Sequence, residues 1–137
     1  EISCSLVGSE MCIREVIGVD AEEAQKCMDK NNQTTCFINR NTLLIDLGEE
    51  RTITSFHYLP DQSEYNIRII SSYEISVGTD SNAVNQVVAK DEFSNIKNNP
   101  ILQSVYFTPV NARYVQLKAT RMIHDGEPMG LAEIGIQ

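Results

Sequence analysis

Two histidines, four cysteines and no tryptophan are all that this 137-residue chain offers among the residues most often recruited to metal and cofactor chemistry. The cysteines, at 4, 12, 27 and 36, include no Cys-x-x-Cys pair, and only His57 and His124 could assist them, so a structural zinc site is not expected. Basic residues are also few. Eleven Lys and Arg face nineteen Asp and Glu, giving a net charge of −8, and the basic residues are scattered from Lys26 to Arg121 rather than gathered in a stripe. A surface that tracks phosphates needs such a stripe, so nucleic acid is not an expected partner. No apolar run reaches the roughly 18 residues of a membrane span, so membrane insertion is not expected either. The chain opens EISCSLVGSE without an apolar leader core, as an excised domain or a mature N-terminus would.

Catalytic signatures are missing as well. There is no G-x-S-x-G elbow, no phosphate-binding G-x-x-x-x-G-K-[ST], no G-x-G-x-x-G and no H-E-x-x-H. His57 lies in a β-type run, where a packed or half-exposed strand histidine is the expected role. The acidic residues fall mostly in turns or on outward strand faces, with Asp46 and Glu133 the exceptions inside apolar strands. Nothing here points to catalysis by this domain alone.

What the chain does have is a succession of short β-type runs from about residue 43 onward. LLIDL (43–47) is closed by Gly48, RTITSFHYLP (51–60) is stopped by Pro60, and QSVYFTP (103–109) and GLAEIGI (130–136) follow. Tyr73, Ile75 and Val77 alternate with Ser72, Glu74 and Ser76, and Val115, Leu117 and Ala119 with Gln116 and Lys118, the period-two pattern of half-buried strands. PDQSEYN, GTDSNA, NIKNNP and HDGEPMG carry turn chemistry between them. Only DAEEAQKCMD (20–29) predicts a helix, of one or two turns, with Asp20 and Glu23 as a capping box. Many short strands separated by turns predict one all-β domain over 1–137, an antiparallel sandwich or jelly roll with residues 1–15 as a lead-in strand.

The stretch KCMDKNNQTTCF (26–37) admits several readings. Asp29, Asn31 and Gln33 echo the start of a calcium-binding helix–loop–helix, but position six would be Thr34 rather than Gly and position twelve Arg40 rather than Glu. A hard cation held by Asp29, Asn31, Thr34 and main-chain carbonyls would need a further acid from a distant strand; a solvated Asx-rich turn needs none. Asn32-Gln33-Thr34 is also an N-x-T sequon. The four cysteines allow three disulfide pairings or free thiols, with a slight lean toward an oxidising compartment.

Taken together, LLIDLGEERTITSFHYLPDQ, IISSYEISVGTD, VVAKDEFSNIKNNPILQSVYFTPVNARYVQLKA and GLAEIGI resemble the discoidin family, the coagulation-factor C-type modules also classed as family 32 carbohydrate-binding modules. The resemblance covers roughly residues 16–137, and is nearest to domains appended to bacterial α-L-fucosidases and β-hexosaminidases. It implies a galactose-binding-like jelly-roll β-sandwich of about eight antiparallel strands. It also implies a structural calcium ion held by the Lys26 carbonyl, Asp29, Asn31, Thr34, the Ala132 carbonyl and Glu133. Lys30 stands where the family has Gly, and Cys36 or Phe37 where it has Trp. The flanking cysteines then look like replacements at semi-buried positions, not metal ligands.

Sugar recognition in the family uses a His, an Arg and an aromatic platform on loops at one end. Here those places hold Asn41, Asp61 and the Pro128–Met129 pair, so the usual galactose site looks dismantled. Asn41, Asp61, Tyr65, Arg121 and His124 remain as glycan-contact candidates, each otherwise a solvated loop residue. The resemblance implies a non-catalytic accessory domain of a secreted, periplasmic or cell-surface glycoside hydrolase, α-L-fucosidase in type, with weak or absent glycan binding. Its partners would be the parent's catalytic domain and a glycan. A glycan binder with an atypical site is the alternative, and a discoidin-type adhesion domain ranks below both.

Overall fold

Residues 3–4, 12–28, 34–62, 68–94, 96 and 100–137 are described by the computed structural model, and among them the chain forms nine strands and one short helix. The strands are β1 (Ser3–Cys4), β2 (Cys12–Ile13), β3 (Glu15–Ile17), β4 (Cys36–Ile38), β5 (Thr42–Pro60), β6 (Ile70–Gly78), β7 (Gln86–Glu92), β8 (Gln103–Met122) and β9 (Met129–Ile136). Helix α1 spans Ala21–Gln25. The architecture is a mostly antiparallel β-sandwich of the galactose-binding-like kind, as expected.

Two strands are far longer than the sequence reading proposed. The runs 43–47 and 51–60 merge into the 19 residues of β5, and the run 103–109 and the alternating stretch at Val115, Leu117 and Ala119 merge into the 20 residues of β8. The ladder shows why. The first half of β5 pairs with β3 and with the second half of β8, while its second half pairs with β9 and with the first half of β8. The two long strands therefore pass from one layer of the sandwich to the other. Register shifts between Asp46 and Arg51 and between Ile53 and Ser55 mark the passage, since a bulge bends a strand without ending it. Gly48, at φ +89°, occupies a conformation that a residue with a Cβ rarely adopts. It bends the strand where sequence alone suggested a stop.

One layer runs β4–β9–β5–β8 through the second half of β5, and the other runs β3–β5–β8–β6–β7 through its first half. β1 and β2 form a separate two-stranded sheet, so the lead-in pairs locally and it is β4 that lies beside the last strand. The alternating residues point inward as their period requires: Leu43, Ile45 and Leu47, Tyr73, Ile75 and Val77, and Val115, Leu117 and Ala119 are all buried. Each such Ile, Leu or Val contributes about 1.5–3 kcal/mol relative to an exposed position. β7 is an edge strand and its exposed Lys90, Asp91 and Glu92 blunt further pairing.

Fully buried Tyr58 joins three elements. Its hydroxyl donates to the Gly130 carbonyl at 3.4 Å and accepts from the Ile70 amide at 3.2 Å, while Phe93 packs on its ring at 5.5 Å. Burial pushes its phenol well above the ordinary range. Of the packed and half-exposed roles open to a strand histidine, His57 takes the packed one: Nδ1 meets Ser104 Oγ at 2.8 Å, and Nε2 meets Ser55 Oγ at 3.1 Å and Gln137 Oε1 at 3.2 Å.

Candidate functional site

The loops 39–41, between β4 and β5, and 123–128, between β8 and β9, meet at one end of the sandwich. They enclose a cleft of about 300 Å³ lined by Asn39, Arg40, Asn41, Met122, Glu127 and Pro128, with Gly126 and Met129 completing its wall. Amide, guanidinium and carboxylate groups stand beside thioether and pyrrolidine carbons, a mixture that can hydrogen-bond hydroxyls and cover an apolar face. Arg40 is anchored by a bond from Nη2 to the Gly18 carbonyl at 2.8 Å. A second depression, lined by Val19, Asp20, Glu23, Phe37, Asn39 and Arg40 among others, continues the surface on the other side of Arg40.

Of the residues singled out as glycan contacts, the fold brings Asn41 to this cleft. Arg121 is exposed on β8 opposite Ser72 and His124 is exposed in the following turn, and neither lines it. Asp61 requires a correction. It is only 2% exposed, not a solvated loop residue, and its Oδ1 accepts from Thr35 Oγ1 at 3.3 Å behind the cleft. Met129 is likewise a core residue rather than a platform. Tyr65 lies outside the described residues.

Sequence reasoning missed Asn39, Arg40, Met122, Gly126 and Glu127, because nothing local says that two loops about 80 positions apart converge. It also missed Arg68. The Arg68 guanidinium sits 4.9 Å over the ring of Phe37, itself 43% exposed, and Nε lies 3.7 Å from Glu127 Oε2 at the cleft. Stacking on one face and ion pairing at the edge fix the guanidinium plane.

The second group of candidates gathers around the turn after α1. The capping box is not formed: Asp20 makes no side-chain cap bond. Glu23 reaches instead to β4, where its Oε2 accepts from the Phe37 amide at 2.8 Å. That bond, helped by Lys26, holds the Glu23 carboxyl below its ordinary range. Thr34 Oγ1 donates to the Lys26 carbonyl at 3.2 Å, closing the loop whose residues 29–33 lie outside the description, so Asp29, Asn31 and the sequon at Asn32 are not placed. The Ile134 amide donates to the Cys27 carbonyl at 3.0 Å, tying this turn to β9 beside buried Ala132 and beside Glu133, whose two carboxylate oxygens are shut off from solvent.

Lys26, Thr34, Ala132 and Glu133, expected far apart in sequence to serve one ion, are thus collected at one junction of loop and last strand. The oxygen-donor chemistry there fits a hard cation such as calcium. The hydrogen bond to Cys36, burial and the nearby Glu133 charge push the Cys27 thiol well above its ordinary range. Among the described residues no group of three His, Cys, Asp or Glu is arranged to hold a metal.

Comparison with known proteins places the fold in a family. The family model for the F5/8 type C domain matches residues 19–134. The chain belongs to this family. As an F5/8 type C domain it superposes on the CpGH89CBM32-5 module from Clostridium perfringens, solved in complex with GalNAc-beta-1,3-galactose. The TM-score is 0.69 at 21% identity, over 98% of this chain and 89% of that one. The CBM32 of AlyQ, solved with 4,5-unsaturated mannuronic acid, gives a TM-score of 0.75 at 20% identity over 95% and 98%. A glycoside hydrolase 29 family member from an unknown rumen bacterium is 30% identical with a TM-score of 0.67, over 88% of this F5/8 type C domain but only 21% of that chain. No curated protein sequence matches.

Proposed function

We propose that this F5/8 type C domain is a non-catalytic accessory domain of a secreted or cell-surface glycoside hydrolase, α-L-fucosidase in type, that takes glycan weakly at the cleft between loops 39–41 and 123–128. The observation that carries the reading is the cleft itself. Asn39, Arg40, Asn41 and Glu127 supply donors and acceptors at the loop end of the sandwich. Among the described residues that line the cleft the apolar cover comes from Met122, Pro128 and Met129, and none of them is aromatic. Aromatic faces supply much of the affinity in small polar sites, so weak binding follows. The likeness to a glycoside hydrolase 29 family member supports the parent type, and the partner in the chain is then the catalytic domain.

A structural calcium ion belongs to the same proposal. The Lys26 and Ala132 carbonyls, Thr34 and Glu133 would hold it together with Asp29 and Asn31, and the ion would supply charge neutralisation at the buried Glu133 carboxylate. Its role would be to fasten the turn after α1 to β9, away from the glycan.

The test is titration calorimetry of the chain against galactose, N-acetylgalactosamine, fucosylated oligosaccharides and uronic acid oligomers. Saturable binding with a roughly millimolar Kd for a neutral sugar is expected. Tight binding would favour a specialised glycan receptor instead, and no binding to any of them would overturn the glycan part.

A further inference from the structure

Asn39 and Arg40 line both the cleft and the second depression, a hollow of about 400 Å³ on the far side of Arg40. Phe37 lines that hollow too. The alternation of β4 buries Cys36 and Ile38 and turns Phe37 outward, 43% exposed, with the Arg68 guanidinium stacked on its ring at 4.9 Å. We propose that the second depression is a further sugar subsite, so that the domain takes a neutral oligosaccharide with one ring in the cleft and the next packed on Phe37. The proposal rests on the glycan reading of the cleft and adds to it a place for a second ring.

Exposure alone would say little, since single apolar residues stand on every protein surface. Phe37 differs in being held. Its amide donates to Glu23 Oε2 at 2.8 Å, and on the other side it is the register partner of Gly130 in β9. The Arg68 carbonyl accepts from the Gly130 amide at 2.8 Å, and the Arg68 guanidinium, stacked on the ring, is tied at its edge to Glu127. A ring ordered before its ligand arrives has little freedom left to lose on binding. The groups around it are those a sugar needs. Asn39 and Arg40 offer donors, Asp20 and Glu23 offer acceptors, and Phe37 offers a flat apolar surface.

Arg40 joins the two places. Its Nη2 donates to the Gly18 carbonyl at 2.8 Å, and the guanidinium lies so close that a Cβ on Gly18 would stand 3.1 Å from Nη1 and Nη2. Gly18 also sits at φ +80°, a conformation that favours glycine. Fixed there, the guanidinium keeps N–H groups beyond the one Gly18 uses, and these can reach hydroxyls of adjacent rings on either side. Charge selects the ligand class. Asp20 and Glu23 are balanced by Arg40 and by Lys26, whose Nζ lies 3.2 Å from Glu23 Oε1, so no surplus of either sign favours uronic acids or amino sugars.

The test is titration calorimetry of the chain against two neutral series: galactose, lactose and a fucosylated lactose, and N-acetylglucosamine with N,N′-diacetylchitobiose. The readout is the ratio of affinities between the longer sugar and the monosaccharide of its series, in which a change common to both cancels. In at least one series the ratio should be roughly tenfold, fall to about one in Phe37→Ala and be retained in Phe37→Trp. A monosaccharide that binds with no gain for its longer relatives, or a gain that survives Phe37→Ala, would overturn the subsite and leave the cleft reading standing. Loss of the gain in Phe37→Trp as well counts against stacking. No binding by any of these sugars overturns the subsite and the cleft reading together.

Discussion

Asp46 and Arg113 are clasped by two charge-assisted bonds, Nε to Oδ1 at 3.0 Å and Nη2 to Oδ2 at 3.2 Å, across the ladder between β5 and β8. The Gly48 amide adds a third bond to Oδ1 at 2.7 Å, at the point where β5 begins to cross between layers. This cluster holds the bend that makes a sandwich out of two long strands. Asp46→Ala leaves the Gly48 amide and the guanidinium without this acceptor, and should cost on the order of 1–3 kcal/mol in urea unfolding at neutral pH. Arg113→Lys should not match the wild type, because an ammonium cannot repeat the two-pronged contact.

The same pair sets an acid limit. Burial raises the Asp46 carboxyl, but the bonds from Arg113 and Gly48 outweigh it and hold the group below its ordinary value. A carboxyl depressed in the fold stabilises fully above the unfolded value of about 3.9 and loses that contribution as pH falls through the folded value. Thermal stability should therefore fall below about pH 4, and Asp46→Asn should flatten that decline. Parallel melting curves for the two proteins across the acid range would refute the assignment.

Gly130, the second residue of β9, has little room for a side chain. A Cβ there would stand 3.0 Å from the Arg68 Cβ and 3.2 Å from the Asp61 Cβ, between the stacked guanidinium and the buried acid. Gly130→Ala should destabilise by about 1–3 kcal/mol through overpacking. Gly126→Ala meets nothing within 4 Å, yet its φ of +82° should still cost about 1–2 kcal/mol through backbone strain. Chemical denaturation of the two variants separates packing from conformation.

At the cleft, Arg40→Ala and Asn41→Ala should each weaken glycan affinity roughly tenfold, about 1.4 kcal/mol. Arg121→Ala, on the neighbouring strand outside the cleft, should leave it unchanged. Equal losses in all three would relocate the site.

A bound calcium ion should raise the melting temperature, and a chelator should lower it, because an ion held only by the native state stabilises by about 2.7 kcal/mol at a hundredfold excess over its Kd. Thr34→Ala and Glu133→Gln should shrink the shift. A chelator without effect on the wild type would remove calcium from the account.

Strand content, inward alternation and the family were legible because period-two patterning and the ARYVQL and AEIGI runs are local properties of the chain. His57 as a strand histidine and Asp46 as an acid buried within an apolar strand were legible for the same reason. The strand ends were not. Gly48 reads as a stop, and only pairing on both sides shows that a positive-φ glycine bends β5 and lets it continue. Asp61 reads as a loop acid, and only its neighbours Thr35 and Gly130 show that it is buried.

Local chemistry along the chain was enough to settle that this would be an antiparallel sandwich with Glu133 as an unusual acid in its last strand. Tertiary structure alone decided that Arg40 and Glu127 share a cleft and that Arg68 stacks on Phe37. Each of these depends on segments brought together by long-range pairing of β5, β8 and β9, and no local pattern encodes that approach.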